Sequence, residues 1–291
     1  MTFGKGHHLH LIDGSAFIFR AYHALPPMTR PDGTPVNAVF GFTNMLSQFL
    51  LRHAASHIAV VFDAGRNTFR NQIYAEYKAH RPDPPPELVP QFGLIRDATD
   101  AFGVARVEHE GFEADDIIAT LACRAREAGG ACTIISSDKD LMQLVGGGVV
   151  MLDAMRNKVI DYDGVVEKFG VAPERVVDVQ ALAGDSVDNV PGAPGIGIKT
   201  AALLINEYGS LEELLDRAGE IKQPKRRESL VDNRAQIELS KQLVQLECNM
   251  ELDFSIEDLE VRDPDPQELL GFVAQMEFRT LSKRLAEKLG V

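Results

Sequence analysis

Short apolar runs that end on an acid recur through the first half of this chain. His8-Leu-His-Leu-Ile-Asp13 reads as a strand ending on Asp13, and His57-Ile-Ala-Val-Val-Phe62 is a continuous β-rich run followed by Asp63. Uninterrupted runs of this kind suit buried parallel strands, which are covered on both faces. Gly103-Val-Ala-Arg-Val107 and Ala131-Cys-Thr-Ile-Ile135 read as further strands, and residues 149–152 with 158–160 predict a hairpin or edge pair. Between these runs the apolar positions recur at helical spacing. Residues 14–22 turn into a helix. Asn37 has the chemistry of an N-cap for a helix through Arg52, with Val39, Phe40, Phe42, Met45, Leu46 and Phe49 as its apolar face. Helical periodicity returns over 87–102. It is strongest over 113–128, where Ile117, Ile118, Leu121, Ala122 and Ala125 make the buried stripe and Gly129-Gly130 ends it.

Alternating strand and helix predict an α/β fold with a mostly parallel central sheet flanked by helices. From Tyr162 onward the strand signals vanish, and short helical segments separated by Gly and Pro run to the end. The expected organisation is an α/β core over 1–175 and a helical unit over 176–291. No Ser/Gly-rich or charge-run spacer separates them, so a tight junction is expected.

In an open α/β sheet, ligands bind at the carboxyl ends of the strands, and the acids gather there. Asp13 and Asp63 end the first two strands, Asp138 and Asp140 follow the run ending at Ile135, and Glu113, Asp115 and Asp116 open a helix. Each acid alone has an ordinary explanation as a helix cap or turn residue. Together, separate segments deliver carboxylates to one sheet edge, where they repel unless cations relieve them. The donors are all carboxylate oxygens, without clustered Cys or a His set, which suits Mg²⁺ or Mn²⁺ rather than Zn²⁺. So many acids exceed the need of one Mg²⁺, so two or more ions are expected. Two metals ~4 Å apart form the clamp used for in-line phosphodiester displacement.

A second pair, Asp185 and Asp188, stands three residues apart, so one helical turn would aim both the same way. Gly192-Ala-Pro-Gly195-Ile-Gly197-Ile-Lys199-Thr200 follows and opens a helix from about Lys199 to Tyr208. Glycines let backbone approach a phosphate, helix-start N–H groups point at it, and Lys199 adds charge.

At 291 residues, 45% hydrophobic and 25% charged, the composition is that of a soluble globular protein. Cys123, Cys132 and Cys248 lack CxxC spacing and read as small buried residues in a reducing compartment. No stretch approaches the ~18 apolar residues of a membrane span, and the first ten residues lack the apolar run of a signal peptide. A cytoplasmic protein with no membrane partner is the expectation.

The net charge of −13 argues against a nucleic-acid binder. That total averages over the surface, so the informative question is local. Arg66, Arg70, Lys78, His80 and Arg81 fall within sixteen residues, interleaved with Phe69, Tyr74 and Tyr77. Cations on phosphates and rings on bases suit a single strand. Arg20 and Tyr22 lie just after Asp13 and can join the same groove. Lys222, Lys225, Arg226 and Arg227 read as solvated surface.

The segments LIDGSAFIFRAYHALP, VFDAGRNTFRNQIYAEYKAHR, GFEADDIIATLA, SSDKDLMQLV and GDSVDNVPGAPGIGIKTAALL resemble the 5′ nuclease (flap endonuclease) superfamily, most closely the N-terminal 5′→3′ exonuclease domain found in bacterial DNA polymerase I. The resemblance implies a PIN-like, resolvase-like sheet, a helical arch over about 66–90 and an all-helical helix–hairpin–helix subdomain. Asp13, Asp63, Glu113, Asp115 and Asp116 resemble the family's first metal group, and Asp138, Asp140, Asp185 and Asp188 its second. Lys78 and Arg81 match arch residues that contact the scissile phosphate, and Arg20 and Tyr77 match positions beside the reacting strand. The hairpin from Gly192 to Thr200, with Gly195, Gly197 and Lys199, resembles the element that binds duplex backbone and often a K⁺ ion. Arg66, Arg70 and Tyr74 complete the expected DNA contacts. The implied substrates are branched or flapped DNA and RNA-primed DNA, and the resemblance implies a nucleoid-associated monomer, either free-standing or fused to a polymerase. Two rivals are a PIN-type ribonuclease and a non-catalytic DNA-junction binder.

Overall fold

The structure, a computed structural model, describes residues 2–154 and 156–291. Among them, six strands form one sheet in the order β3-β2-β1-β4-β5-β6. They are β1 (His8–Asp13), β2 (His57–Val61), β3 (Ala105–Val107), β4 (Ala131–Ile135), β5 (Val149–Asp153) and β6 (Lys158–Ile160). All neighbours pair in parallel except β6, an antiparallel edge. The expected mostly parallel sheet is therefore present. Leu11 of β1 sits between Ala59 and Ile134 in register, which explains why β1 and its two neighbours read as unbroken apolar runs.

The two-residue alternation of a strand divides these apolar residues between two cores. Leu9, Leu11, Ala59, Val61 and Ile134 face one core, while Ile12, Ile58, Val60 and Ile135 face the other. α1 (Gly14–Ala24) and α2 (Asn37–Arg52) cover the second face; the short α3 (Phe69–Ile73) follows β2; α4 (Gln91–Ala101) returns to the second face; and α5 (Ala114–Glu127) covers the first. From β1 the chain moves outward to β2 and β3, then crosses back to place β4 on the other side of β1. That reversal opens a crevice beyond the carboxyl ends of β1 and β4.

Asn37 is not the cap of α2. Val36 holds that position without a side-chain bond. Gln91, at the start of α4, supplies the missing acceptor: its Oε1 accepts the N–H groups of Ala38 (2.8 Å) and Val39 (3.1 Å). Asn37 instead accepts from Gln91 Nε2 at 2.9 Å. A residue more than fifty positions away does the work of a local cap. The segment 66–90 contains only α3 and a series of turns, and no long arch helix stands away from the core.

Beyond the sheet lie α6 (Tyr162–Phe169), α7 (Val176–Ala183), α8 (Ile198–Tyr208), α9 (Leu211–Asp216), α10 (Pro224–Asp232) and α11 (Arg234–Val244). Val179, Leu182, Ala201, Leu204 and Leu243 share the core of Ile117 and Leu121, so this helical unit is packed against α5 without a flexible joint. α12 (Pro266–Gln275) and α13 (Arg279–Leu289) turn back to the opposite face, where Leu269, Val273, Met276, Leu281 and Leu285 join the core of α2 and α4. No described helix is long and apolar enough to cross a membrane.

His10 lies in the middle of β1, 4% exposed, with its Nδ1 unbonded. Burial, then the neighbouring His8 and His53, lowers its pKa to about 4. The unfolded chain holds that proton more tightly, so stability rises with pH: the contribution is present above about pH 6.5 and is lost as pH falls toward 4. The gap between about 6.5 and about 4, at 1.36 kcal/mol per pH unit, bounds it at ~3 kcal/mol. Urea unfolding from pH 7 to pH 4 is expected to show a smaller stability loss for His10→Asn than for the unsubstituted chain.

Candidate active site

The acids expected at the sheet edge occupy the crevice between β1 and β4, and several act as local caps. Asp13 caps α1, its Oδ1 accepting from Ala16 N at 3.0 Å, while Oδ2 accepts from Ser136 Oγ beyond β4 at 2.7 Å. Asp63, exposed at the end of β2, accepts from Ala114 N at 2.8 Å and from Ser15 Oγ at 2.6 Å. Glu113 caps α5 in a reciprocal arrangement with Asp116. Asp138 caps the short 3₁₀ turn Lys139–Leu144 through Asp140 N at 2.9 Å. Capping and clustering are therefore not alternatives here. The free N–H groups of each element anchor the carboxylates that crowd the crevice.

Crowding shows in the acidities. Burial, reinforced by the charges of Asp63 and Asp138, lifts Asp13 to about 6. Burial and then Asp138, Asp13 and Glu113 hold Asp115 well above the usual carboxylate range. Asp140 rises to about 7 through burial and Asp138. The charge of Asp138 thus acts on Asp13 and Asp115 as well as on Asp140. Among the described residues, no three carboxylates, imidazoles or thiols are arranged to enclose an ion in this conformation. The donor set nonetheless fits hard divalent cations: it is all oxygen, and its members destabilise one another when charged.

Cations of the chain itself neutralise the remaining acids. Lys78 Nζ lies 2.6 Å from Glu113 Oε1 and 3.6 Å from Asp188 Oδ2, and over the Tyr77 ring at 5.0 Å. Burial works against its charge, but Glu113 raises its pKa above the ordinary value. The Lys78 backbone is left-handed, at φ 55°, with its N–H donating to Asp188 O at 2.9 Å. Arg81, about half exposed, pairs with Asp188. Tyr77 is buried and donates to Glu113 Oε2 at 3.2 Å. Lys139 binds Asp185, and Gln180 of α7 donates to Asp140. Lys139 was visible between Asp138 and Asp140. Nothing local marked Gln180.

Two sequence expectations change. Arg70, expected at the DNA surface, is 0% exposed. Both its Nη atoms lie 2.7 Å from Asp116, and it also donates to Leu243 O at 2.8 Å and Gln245 O at 2.9 Å. Asp116, expected as a metal ligand, is 0% exposed and spends its oxygens on Arg70 and on the N–H groups of Glu113 and Glu247. It can orient the start of α5 but has no free face for an ion. Tyr74 is half-buried against the core, Arg66 pairs with Asp83 at 2.6 Å, and Arg20 lies half-buried on α1 outside the Lys78 and Arg81 network.

Asp185 and Asp188 do not share a helical turn. They occupy a tight loop closed by paired backbone bonds between Asp185 and Val190, with Asn189 at φ 57°. Burial opposes the charge of Asp185, but Lys139 and the Val187 N–H hold its pKa low. A groove of about 580 Å³ runs from Asp138, Asp140, Asp185 and Asp188 past Arg81 to Arg156 and Lys158. In the hairpin, Gly192 is buried and its N–H donates to Ser240 Oγ at 2.9 Å, so it is a packing residue rather than a surface one. Gly195, Gly197 and Lys199 are exposed and Thr200 half-buried at the start of α8.

The chain matches the family model described as 5′-3′ exonuclease, N-terminal resolvase-like domain, over residues 8–170, and 5′-3′ exonuclease, C-terminal SAM fold, over 171–267. It is 54% identical to a DNA polymerase I of Rhizobium leguminosarum over 97% of its own length, and spans 29% of that protein. It is 38% identical to a 5′-3′ exonuclease of Aquifex aeolicus (strain VF5), covering 95% of this chain and 94% of that one. The fold is similar to a bacteriophage T5 flap endonuclease solved with DNA and metal ions, at TM-score 0.70 and 22% identity over 81% of this chain and 88% of that chain. It is also similar to the catalytic core of Rad2 solved with DNA substrate, at TM-score 0.63 and 17% identity over 97% and 91%.

Removing Arg70 strands the Asp116 charge in the interior, so Arg70→Ala is expected to lower unfolding free energy by about 3–5 kcal/mol in urea titration. The hairpin glycines should separate. A Cβ on Gly192 would stand 2.4 Å from Gly184 N, at φ 63°, whereas nothing lies within 4 Å of one on Gly197. Gly192→Ala is expected to cost on the order of 3 kcal/mol and Gly197→Ala less than about 0.5 kcal/mol.

Proposed function

Because the chain belongs to the 5′-3′ exonuclease family, a family of nucleases, we propose that it is a structure-selective, divalent-metal-dependent 5′ nuclease. Its substrates are 5′-flapped or branched DNA and RNA-primed DNA, and its products carry 5′-phosphate and 3′-hydroxyl ends. In a longer protein it would serve beside a polymerase region, removing the strand ahead of synthesis in replication and repair. What supports the reading is the crevice: Asp13, Asp115, Asp138 and Asp140 repel one another while Lys78 and Arg81 pair with Glu113 and Asp188 beside them.

The residues placed to hold Mg²⁺ or Mn²⁺ are Asp13, Asp63, Asp115, Asp138 and Asp140, with Glu113, Asp185 and Asp188 available on release of their lysine and arginine partners. When bound, two such ions neutralise the phosphodiester and make a water acidic enough to attack it in line. Lys78 and Arg81 now rest on Glu113 and Asp188. With Glu113 and Asp188 holding metal ions, the ammonium and guanidinium would be free to hold the scissile phosphate, where fixed positive charge stabilises the transition state. Tyr77 keeps Glu113 oriented. Arg156 and Lys158 line the far end of the groove and offer phosphate contacts for the strand. The exposed start of α8, with Gly195, Gly197, Lys199 and Thr200, grips duplex backbone without reading bases. The carbonyls of Gly192 and Pro194 each accept one bond, from Gln236 and Ser229, and keep a second lone pair for a K⁺ at this hairpin.

A 5′-labelled flap substrate with Mg²⁺ tests the assignment. Asp115→Asn and Asp185→Asn are expected to stop cleavage while retaining flap binding in EDTA. Lys78→Ala and Arg81→Ala should each lower kcat by about 10²–10³-fold. Lys199→Ala should reduce the salt slope of binding by about one without changing kcat. Full cleavage by both aspartate variants would sink the metal assignment. Tight binding in EDTA with no cleavage in Mg²⁺ or Mn²⁺ would instead identify a junction binder.

A further inference from the structure

Cys123 and Cys248 show no sequence pattern that relates them, yet they meet in the fold. Cys123 lies on α5, two turns beyond Asp116. Residues 247–250, after α11, are pinned along the same helix. Thr120 Oγ1 donates to Glu247 O at 3.0 Å, Arg124 Nη2 donates to Met250 O at 2.7 Å, and Glu247 N donates to Asp116 Oδ1 at 3.0 Å. These bonds hold the backbone on both sides of Cys248 and bring its sulfur to 2.7 Å from that of Cys123, across 125 positions of sequence. The guanidinium of Arg126 lies 3.3 Å from the Cys123 sulfur. Cys248 is half-buried and open to small solutes, and Cys123 keeps an exposed edge of 6%.

We propose that Cys123 and Cys248 are a redox modification site, closing a reversible disulfide when the protein meets hydrogen peroxide. The bond staples α5 to the segment that also carries the Arg70–Asp116 junction. The proposal does not depend on the nuclease reading. The contact with Cys248, and then Arg126, against burial, brings the Cys123 thiol below its ordinary value, which raises its share of thiolate. Its sulfur attacks one peroxide oxygen and the O–O bond breaks. The departing hydroxide takes up a proton to become water. Cys248 then attacks the sulfenic sulfur, the S–O bond breaks, and a second water leaves with the Cys248 proton. The sulfurs give up two electrons and the peroxide accepts them. Cys132 takes no part: it is 0% exposed on β4, and burial pushes its thiol up. In a reducing compartment such a bond is transient.

The test oxidises the reduced, full chain with hydrogen peroxide, quenches with N-ethylmaleimide and maps peptides by mass spectrometry. The expected result is a Cys123–Cys248 linked peptide within one chain, with Cys132 still a thiol. The Tm should rise by roughly 5–10 °C and return on adding dithiothreitol. Cys132→Ser should behave identically, and Cys248→Ser should show neither link nor rise. The proposal is overturned by sulfinic acid at Cys123 with Cys248 still alkylated, by linkage to Cys132 or between copies, or by a Tm rise that survives in Cys248→Ser. Should Cys248→Ser not fold, the peptide map of the unsubstituted chain decides by itself.

Discussion

The ion pair between Arg70 and Asp116 is the constraint on which the rest of this molecule depends. Both groups are removed from water, which is tolerable only where every donor and acceptor is matched. They are matched here by parts of the chain that have little else in common. Arg70 comes from the segment carrying Lys78 and Arg81, Asp116 from the first turn of α5, and the remaining partners from the backbone at Leu243, Gln245 and Glu247. One buried pair therefore sets the start of α5 against the basic segment on one side and the helical unit on the other. Glu113 and Asp115 inherit their positions from it. So does Asp188, because Lys78 bonds to it through both backbone and side chain.

A second constraint is electrostatic. Folding brings acids from five separate segments toward one crevice, and burial makes each charge less tolerable to the others. The chain manages this in two ways. Helix starts and turn N–H groups hold Asp13, Asp63, Glu113 and Asp138 in place. Lys78, Arg81 and Lys139 neutralise Glu113, Asp188 and Asp185. What is left unneutralised, chiefly Asp13, Asp115 and Asp140, responds with raised pKa values, holding protons more tightly than an ordinary carboxyl. On the function proposed above, a site held together by its own cations would exchange them for a phosphate and external metal charge.

Much of this was legible in the chain. The strand runs ending on Asp13 and Asp63, the stripe of α5 and the loss of strand signal after Tyr162 all correspond to described elements. The misreadings share one cause. Asn37 has the chemistry of a cap, but Gln91 reaches α2 from another helix and takes that place. Arg70 stood among exposed cations and aromatics, yet its own partner lies 46 positions away. Asp185 and Asp188 have helical spacing but sit in a loop that helix periodicity does not describe. The basic segment around 66–90 is drawn down by Lys78 and Arg81 instead of standing off as an arch.

The sequence by itself determined the elements, the sheet class and the identity of the carboxylates, because alternation, helical periodicity and capping act between near neighbours. Only the tertiary structure decided what each charge is for. Asp116 and Asp115 are adjacent in sequence, yet one is sealed against an arginine and the other opens on the crevice. Cys123 and Cys248 give no local sign that they meet. Partnership between distant residues depends on how segments pack, and packing is the point at which burial turns a charge or a thiol from a local preference into a specific interaction.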